Sequence, residues 1–282
     1  MFESIGRSIG LVKTSWNILM DDKKLLAFPV LSGIVTILVV LTFILPLLFS
    51  GALIGKAQVG PVVYYGLLFL FYIVSYFVVI FFNTALISCV NAKLNGRDMT
   101  VGESLSAAVR HLPTVIGWAV ISATVGLVLH LLEERSGFIG QIVFSLIGGA
   151  WALVTFFVVP VLVIEDKGVF ASITESFGLI KKTWGESIVG AGGMAIVFVA
   201  IGILGGLCVL GTLFLGIEIL FYAALVLFLL MIVVLAVVYY AMQGIFVTAL
   251  YTYAKTGTVP SAFNRDTIQN AFLPKQAGPG NI

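Results

Sequence analysis

Polar and apolar positions vary along this chain on two scales. On the short scale, Phe2, Ile5, Ile9, Val12 and Trp16 recur every three or four residues, while Glu3, Arg7, Lys13 and Asn17 lie away from them, which is the spacing of a helix with one apolar stripe. On the long scale, apolar residues dominate Leu25 to Leu48, Val62 to Val90, Pro113 to Leu132, Phe138 to Ile164, Ser187 to Leu215 and Ile219 to Tyr253. A hydrocarbon layer about 30 Å thick is crossed by roughly 20 apolar helical residues, so each run predicts a transmembrane helix. The fold class is all-α: a polytopic membrane helical bundle of six spans. Several runs exceed the minimum length, which predicts tilt, kinking or extension beyond the lipid. Pro160 is the expected kink in the fourth span.

The short pattern repeats. Ser8 to Trp16 returns as Ser176 to Trp184 with Gly, Leu, Lys and Trp kept in place. Phe170, Ile173, Phe177, Ile180 and Trp184 restore the stripe. A weaker copy places Val101, Leu105, Ala108 and Leu112 against Ile5, Ile9, Val12 and Trp16. Three units follow, about 1–94, 95–166 and 167–255, each an amphipathic helix leading into two spans. Two spans per unit preserve the sense of insertion, so the units are parallel repeats about an axis along the membrane normal. Residues 1–255 form one transmembrane domain. Residues 256–282, with Pro260, Pro274 and a Gly-rich end, read as a loosely ordered cytoplasmic tail.

Composition agrees with a lipid solvent: 60% of residues are hydrophobic, 10% are charged, and mean hydropathy is +1.16. The formal net charge of +2 hides a strong asymmetry. Of the 15 Lys and Arg residues, only Lys56 and Arg135 fall on the side opposite the termini. Lys and Arg are retained on the cytoplasmic side of short loops, so both termini are expected in the cytoplasm and the protein in the cell's inner (plasma) membrane. Basic residues spread over several short segments do not make a nucleic-acid surface. The first 24 residues are amphipathic and charged, so no cleaved signal peptide is expected. Cys89 and Cys208 lie toward opposite ends of their spans, too far apart for a disulfide.

Candidate chemistry is sparse. No nucleophile elbow, phosphate-binding glycine loop or paired-carboxylate motif is present, and no catalytic, cofactor or metal residues are assigned. The amphipathic helices carry the first set of candidates: Phe2, Ile9, Lys13, Trp16, Phe170, Phe177, Lys181 and Trp184, as contacts to the membrane interface or a partner. The second set lies in the spans, for helix packing or a solute pathway: Asn83, Pro160, Gly202, Gly206 and Gln243. Gly202 and Gly206 have the small-xxx-small spacing of close helix pairs. Gly10 and Gly178, equivalent in the repeat, suggest a further close crossing.

Phe2-Glu-Ser-Ile-Gly-Arg-Ser8, the Trp16 region, Lys24 to Gly33, Glu133 to Gly137, Thr155 to Pro160 and Lys182 to Glu186 together resemble an uncharacterised prokaryotic family of six-span membrane proteins, a domain of unknown function. The resemblance implies a common fold over residues 1 to about 255 and supplies no active-site residues. More loosely, the helix-then-hairpin pattern is similar to the membrane domain of some glycerophosphodiester phosphodiesterases. Their catalytic barrel is missing here, so their activity does not carry over.

These readings lead to a non-enzymatic scaffold or accessory protein that meets the lipid bilayer, and a protein partner or a second copy of the chain, through helices on the cytoplasmic face. The alternative is a permease or channel for a small or apolar solute, with a path between the units.

Overall fold

The computed structural model describes residues 13–50, 60–214 and 216–257, apart from the side chains of residues 61 and 182–193. The expected tail from residue 258 onward lies outside the described residues, as do Phe2, Ile9 and the other residues before Lys13. Among the described residues, six helices are long and apolar enough to cross a membrane.

Helix α1, described over residues 13–21, stops at Asp22. The Asp22 carboxylate accepts a hydrogen bond from the Lys24 N–H at 3.3 Å, capping a 3-10 turn, Lys23–Leu26, that leads into α2, Ala27–Phe49. Helix α3, Pro61–Leu94, starts with proline at its first position, where the missing N–H costs nothing and the fixed φ favours a helix. The amphipathic α4, Val101–Arg110, opens on a capping box in which Thr100 and Glu103 satisfy each other's backbone N–H groups. It leads into α5, Leu112–Glu134.

The fourth span is broken into two helices, α6, Phe138–Val154, and α7, Val158–Ile164. Pro160 lies in the first turn of α7 and lacks the N–H that would bond the Phe156 carbonyl. The fifth span behaves in the opposite way. Helix α8 runs unbroken over Val169–Leu213, so the third amphipathic segment is continuous with its span. At 1.5 Å per residue its 45 residues extend about 68 Å, more than twice the hydrocarbon thickness. Helix α9, Glu218–Thr256, ends at Gly257 in the left-handed conformation, φ 69°, where a side chain would be strained.

The second spans of the three hairpins meet one another, with α3, α7 and α9 in mutual contact, and α2, α5 and α8 each pair with their hairpin partner or its neighbour. Helix α4 packs on α3, and α8 packs on α7. An amphipathic segment therefore seats on the second span of the preceding unit. The core gathers at the end that carries the basic residues: Phe28, Leu86, Phe157, Met194, Met242 and Phe246 are all buried there, and Val115, Trp118 and Leu162 form an adjoining cluster. Toward the far end, α2, α6, α8 and α9 expose Ile, Leu, Val and Phe broadly. Lipid is as apolar as these side chains, so the hydrophobic effect does not drive the far halves together.

Candidate functional site

At the basic end, the amphipathic segments present two faces to different surroundings. On α8, Ser172, Ser176, Leu179 and Ile180 are buried against the bundle. Phe170 and Phe177, two turns apart along one edge, are 78% and 52% exposed, and Lys181 follows one turn later, also exposed. On α1, Ser15, Ile18 and Leu19 are buried, while Trp16 is 43% exposed beside exposed Lys13. The sequence stripe is thus divided: Ile180 is 3% exposed and faces protein, whereas its stripe-mates Phe170 and Phe177 do not. Small serines occupy the line of closest approach to the spans, which moves the large aromatics to the rim. The Trp184 side chain lies outside the described residues.

The buried face carries a specific polar contact. The Ser176 hydroxyl accepts a hydrogen bond from the Phe157 N–H at 3.0 Å and donates to the Val154 carbonyl at 2.6 Å. These two groups flank the break between α6 and α7, so a side chain from α8 replaces the interrupted helical bonding. In the second unit, the equivalent Ser104 is buried on α4 and its hydroxyl donates to the Thr100 carbonyl at 2.9 Å. The Cys89 thiol of α3 approaches Ser104 and lies 3.8 Å from the Met99 carbonyl.

An ion-pair ring closes over the ends of α7 and α9. Lys167 reaches Glu165 at 2.7 Å and Glu175 at 3.1 Å, while Lys255 reaches the same carboxylates at 3.0 Å and 2.6 Å. The Tyr251 hydroxyl donates to Glu165. Burial alone raises the Glu165 pKa, but hydrogen bonds from Lys167, Tyr251 and Lys255 outweigh it and hold the carboxyl at about 2. Hydrogen bonds from Lys255 and Lys167 likewise lower Glu175, and hydrogen bonds to Glu165 and Glu175 raise Lys167. A second polar knot joins Lys93 of α3 to Asp22 at 3.4 Å. His111 approaches Asp166 at 3.2 Å, and Asp166 has the positive φ of 50° that Asp tolerates better than most residues. These contacts neutralise much of the basic end from within.

The span candidates are dispersed. Asn83 and Gln243 are half-buried, and neither side chain has a hydrogen-bond partner among the described residues. Pro160 is buried in α7. Gly202 and Gly206 face α9: a Cβ built there would stand 3.6 Å from Ile232 and 3.6 Å from Phe228. The tightest approach in this hairpin is at Gly205, whose added Cβ would run into Met231 and meet Phe228 at 3.1 Å. Gly178 does not mark a close crossing, because nothing stands within 4 Å of a Cβ placed there. Among the described residues, no three His, Cys, Asp or Glu side chains are grouped as metal ligands.

A contact between α3 and α9 has a sequence signal outside the amphipathic repeat. Phe82-Asn-Thr-Ala-Leu86 and Phe246-Val-Thr-Ala-Leu250 share four of five residues, and both lie near the basic ends of second spans. Leu86 fills the space that a side chain at Gly244 would take. The serine shared by Ser8, Ser104 and Ser176 is also visible in sequence, but a small polar residue adds nothing to an apolar periodicity.

Residues 62–261 match the model of a protein family described as Family of unknown function (DUF6159). The chain belongs to this family. The match begins at the second span, so the DUF6159 region takes in five of the six spans, the second and third amphipathic segments and the ion-pair ring. The first amphipathic segment and first span lie outside it. No curated protein and no solved structure matches this DUF6159 chain, and the looser likeness to glycerophosphodiester phosphodiesterases gains no support from these comparisons.

Proposed function

We propose that this DUF6159 protein is a non-enzymatic membrane scaffold or accessory protein, seated in the cell's inner membrane with both termini in the cytoplasm. Its amphipathic segments would contact the anionic inner leaflet, or a protein docked on it, through the aromatic and basic edge formed by Trp16, Lys13, Phe170, Phe177 and Lys181. The observation that supports this reading is the outward placement of Phe170 and Phe177 on a helix whose opposite face is buried. Aromatic rings and lysines together suit the headgroup layer, where an apolar ring and a charged amine are both satisfied. Each Lys near an anionic leaflet contributes about 1 kcal/mol.

The permease reading has less in its favour. The basic end of the interior is filled by Phe28, Phe157, Met242 and Phe246, and the span-five glycines pack against α9 side chains.

The test is depth-dependent quenching of Trp16 in a full-length variant carrying Trp118→Phe, Trp151→Phe and Trp184→Phe, reconstituted in bilayers with and without phosphatidylglycerol. Shallow brominated lipids should quench Trp16 strongly, more so in anionic bilayers. Emission insensitive to lipid quenchers and fully accessible to aqueous iodide would reject the lipid-contact reading.

A further inference from the structure

The far end of the bundle carries a group of polar side chains independent of the amphipathic edge. Helix α5 terminates in Glu133 and Glu134, with no basic residue in its last turn. Helix C-termini carry partial negative charge from free carbonyls, so these carboxylates sit where an anion is least stabilised. Arg135, at the C-cap, makes no ion pair with either one among the described residues.

Glu133 and the first turns of α6 border an open depression of about 360 Å³, lined by Glu133, Phe138, Gln141, Ile142, Ser145 and Leu146. Its volume lies within the range of small-ligand sites. The lining is ordered by chemistry. Phe138, Ile142 and Leu146 follow one another at four-residue spacing, and Gln141 and Ser145 run beside them one turn apart. Neither Glu133, Gln141 nor Ser145 has a side-chain partner among the described residues. Within the spans, the hydroxyls of Thr42 and Thr124 donate to their own helix at 2.8 and 2.7 Å, a common way to satisfy a hydroxyl facing lipid. The Ser145 hydroxyl makes no such bond.

We infer that this groove between α5 and α6 binds a membrane lipid whose headgroup carries a primary ammonium, as in phosphatidylethanolamine. Glu133 supplies the counter-charge, and the Gln141 carbonyl oxygen and the Ser145 hydroxyl accept further N–H bonds. A primary ammonium has three donors for these three acceptors, whereas a quaternary ammonium has none. The row of Phe138, Ile142 and Leu146 gives an acyl chain its contact along α6. That apolar row selects a lipid over a soluble amine.

Native mass spectrometry of the full-length protein tests this with palmitoyl-oleoyl phosphatidylethanolamine and phosphatidylcholine of identical chains. Both headgroups carry a positive charge, but only the primary ammonium donates hydrogen bonds, so the ethanolamine lipid should be retained about two- to tenfold better, the range of one net hydrogen bond. Glu133→Gln should shrink the preference, because the charge-assisted bond is replaced by a neutral one, while Phe177→Ala at the opposite end should leave the preference intact. Equal retention by the unmodified protein, or a preference undiminished by Glu133→Gln, would overturn the assignment. Free ethanolamine at matched concentration should not compete. Competition as strong as that of the lipid would show a soluble-amine site and overturn the lipid assignment.

Discussion

Ser176 on α8 and Phe157 at the head of α7 are 19 residues apart in the chain, yet the serine hydroxyl accepts the Phe157 N–H at 3.0 Å. The same hydroxyl donates to the carbonyl of Val154, where α6 ends. One buried side chain therefore joins the amphipathic part of α8 to the two halves of the fourth span. Ser176→Ala would strand a buried N–H, which costs about 1–3 kcal/mol. The expected outcome is a lower thermal midpoint for the purified protein. Ser172→Ala is the control: that hydroxyl bonds only to the Lys167 and Gly168 carbonyls near its own helix start, so its loss should cost clearly less.

Gly244 faces Leu86 without room for a methyl group. Gly244→Ala should destabilise the α3–α9 contact by about 1–3 kcal/mol through overpacking. Gly211→Ala, at a helical position with nothing within 4 Å, should be neutral or slightly stabilising because alanine is the better helix former. Adding Leu86→Ala to Gly244→Ala should recover part of the loss. Additive destabilisation in that double-mutant cycle would contradict a direct clash.

The ion-pair ring gives a pH dependence of known sign. The Glu165 pKa is depressed to about 2, against roughly 4.3 for an unfolded glutamate. Its contribution to stability is complete above the unfolded value and is lost as pH falls from about 4.3 through about 2. The thermal midpoint should fall across that window, and Glu165→Gln should flatten the response. At neutral pH this variant should lose on the order of 1–2 kcal/mol, between the values for exposed and fully buried ion pairs.

Topology can be read with an impermeant maleimide in intact cells, starting from a Cys89→Ala, Cys208→Ala background. A cysteine at Ser136 should label from outside, and one at Lys181 only after permeabilisation. The reverse pattern would invert the proposed orientation.

The six spans, the repeat and the charge asymmetry are legible in sequence because each answers to one dominant demand. A helix must be apolar for about 20 residues to cross lipid, a duplicated unit repeats its residues, and short loops retain Lys and Arg on one side. Tertiary structure alone decided where the fourth span breaks, that α8 continues from its amphipathic segment into the span, and which part of each stripe meets protein. Pro160 announces a kink, but the serine that completes the broken bonding comes from another helix. Ile180 and Phe177 are equally apolar in sequence, yet one is buried in the bundle and the other faces outward. In water, an apolar stripe points to the protein core. In a membrane, lipid and protein interior are both apolar, so periodicity cannot separate their faces, and the fit of side chains such as Ser176 at Phe157 and Gly244 at Leu86 decides.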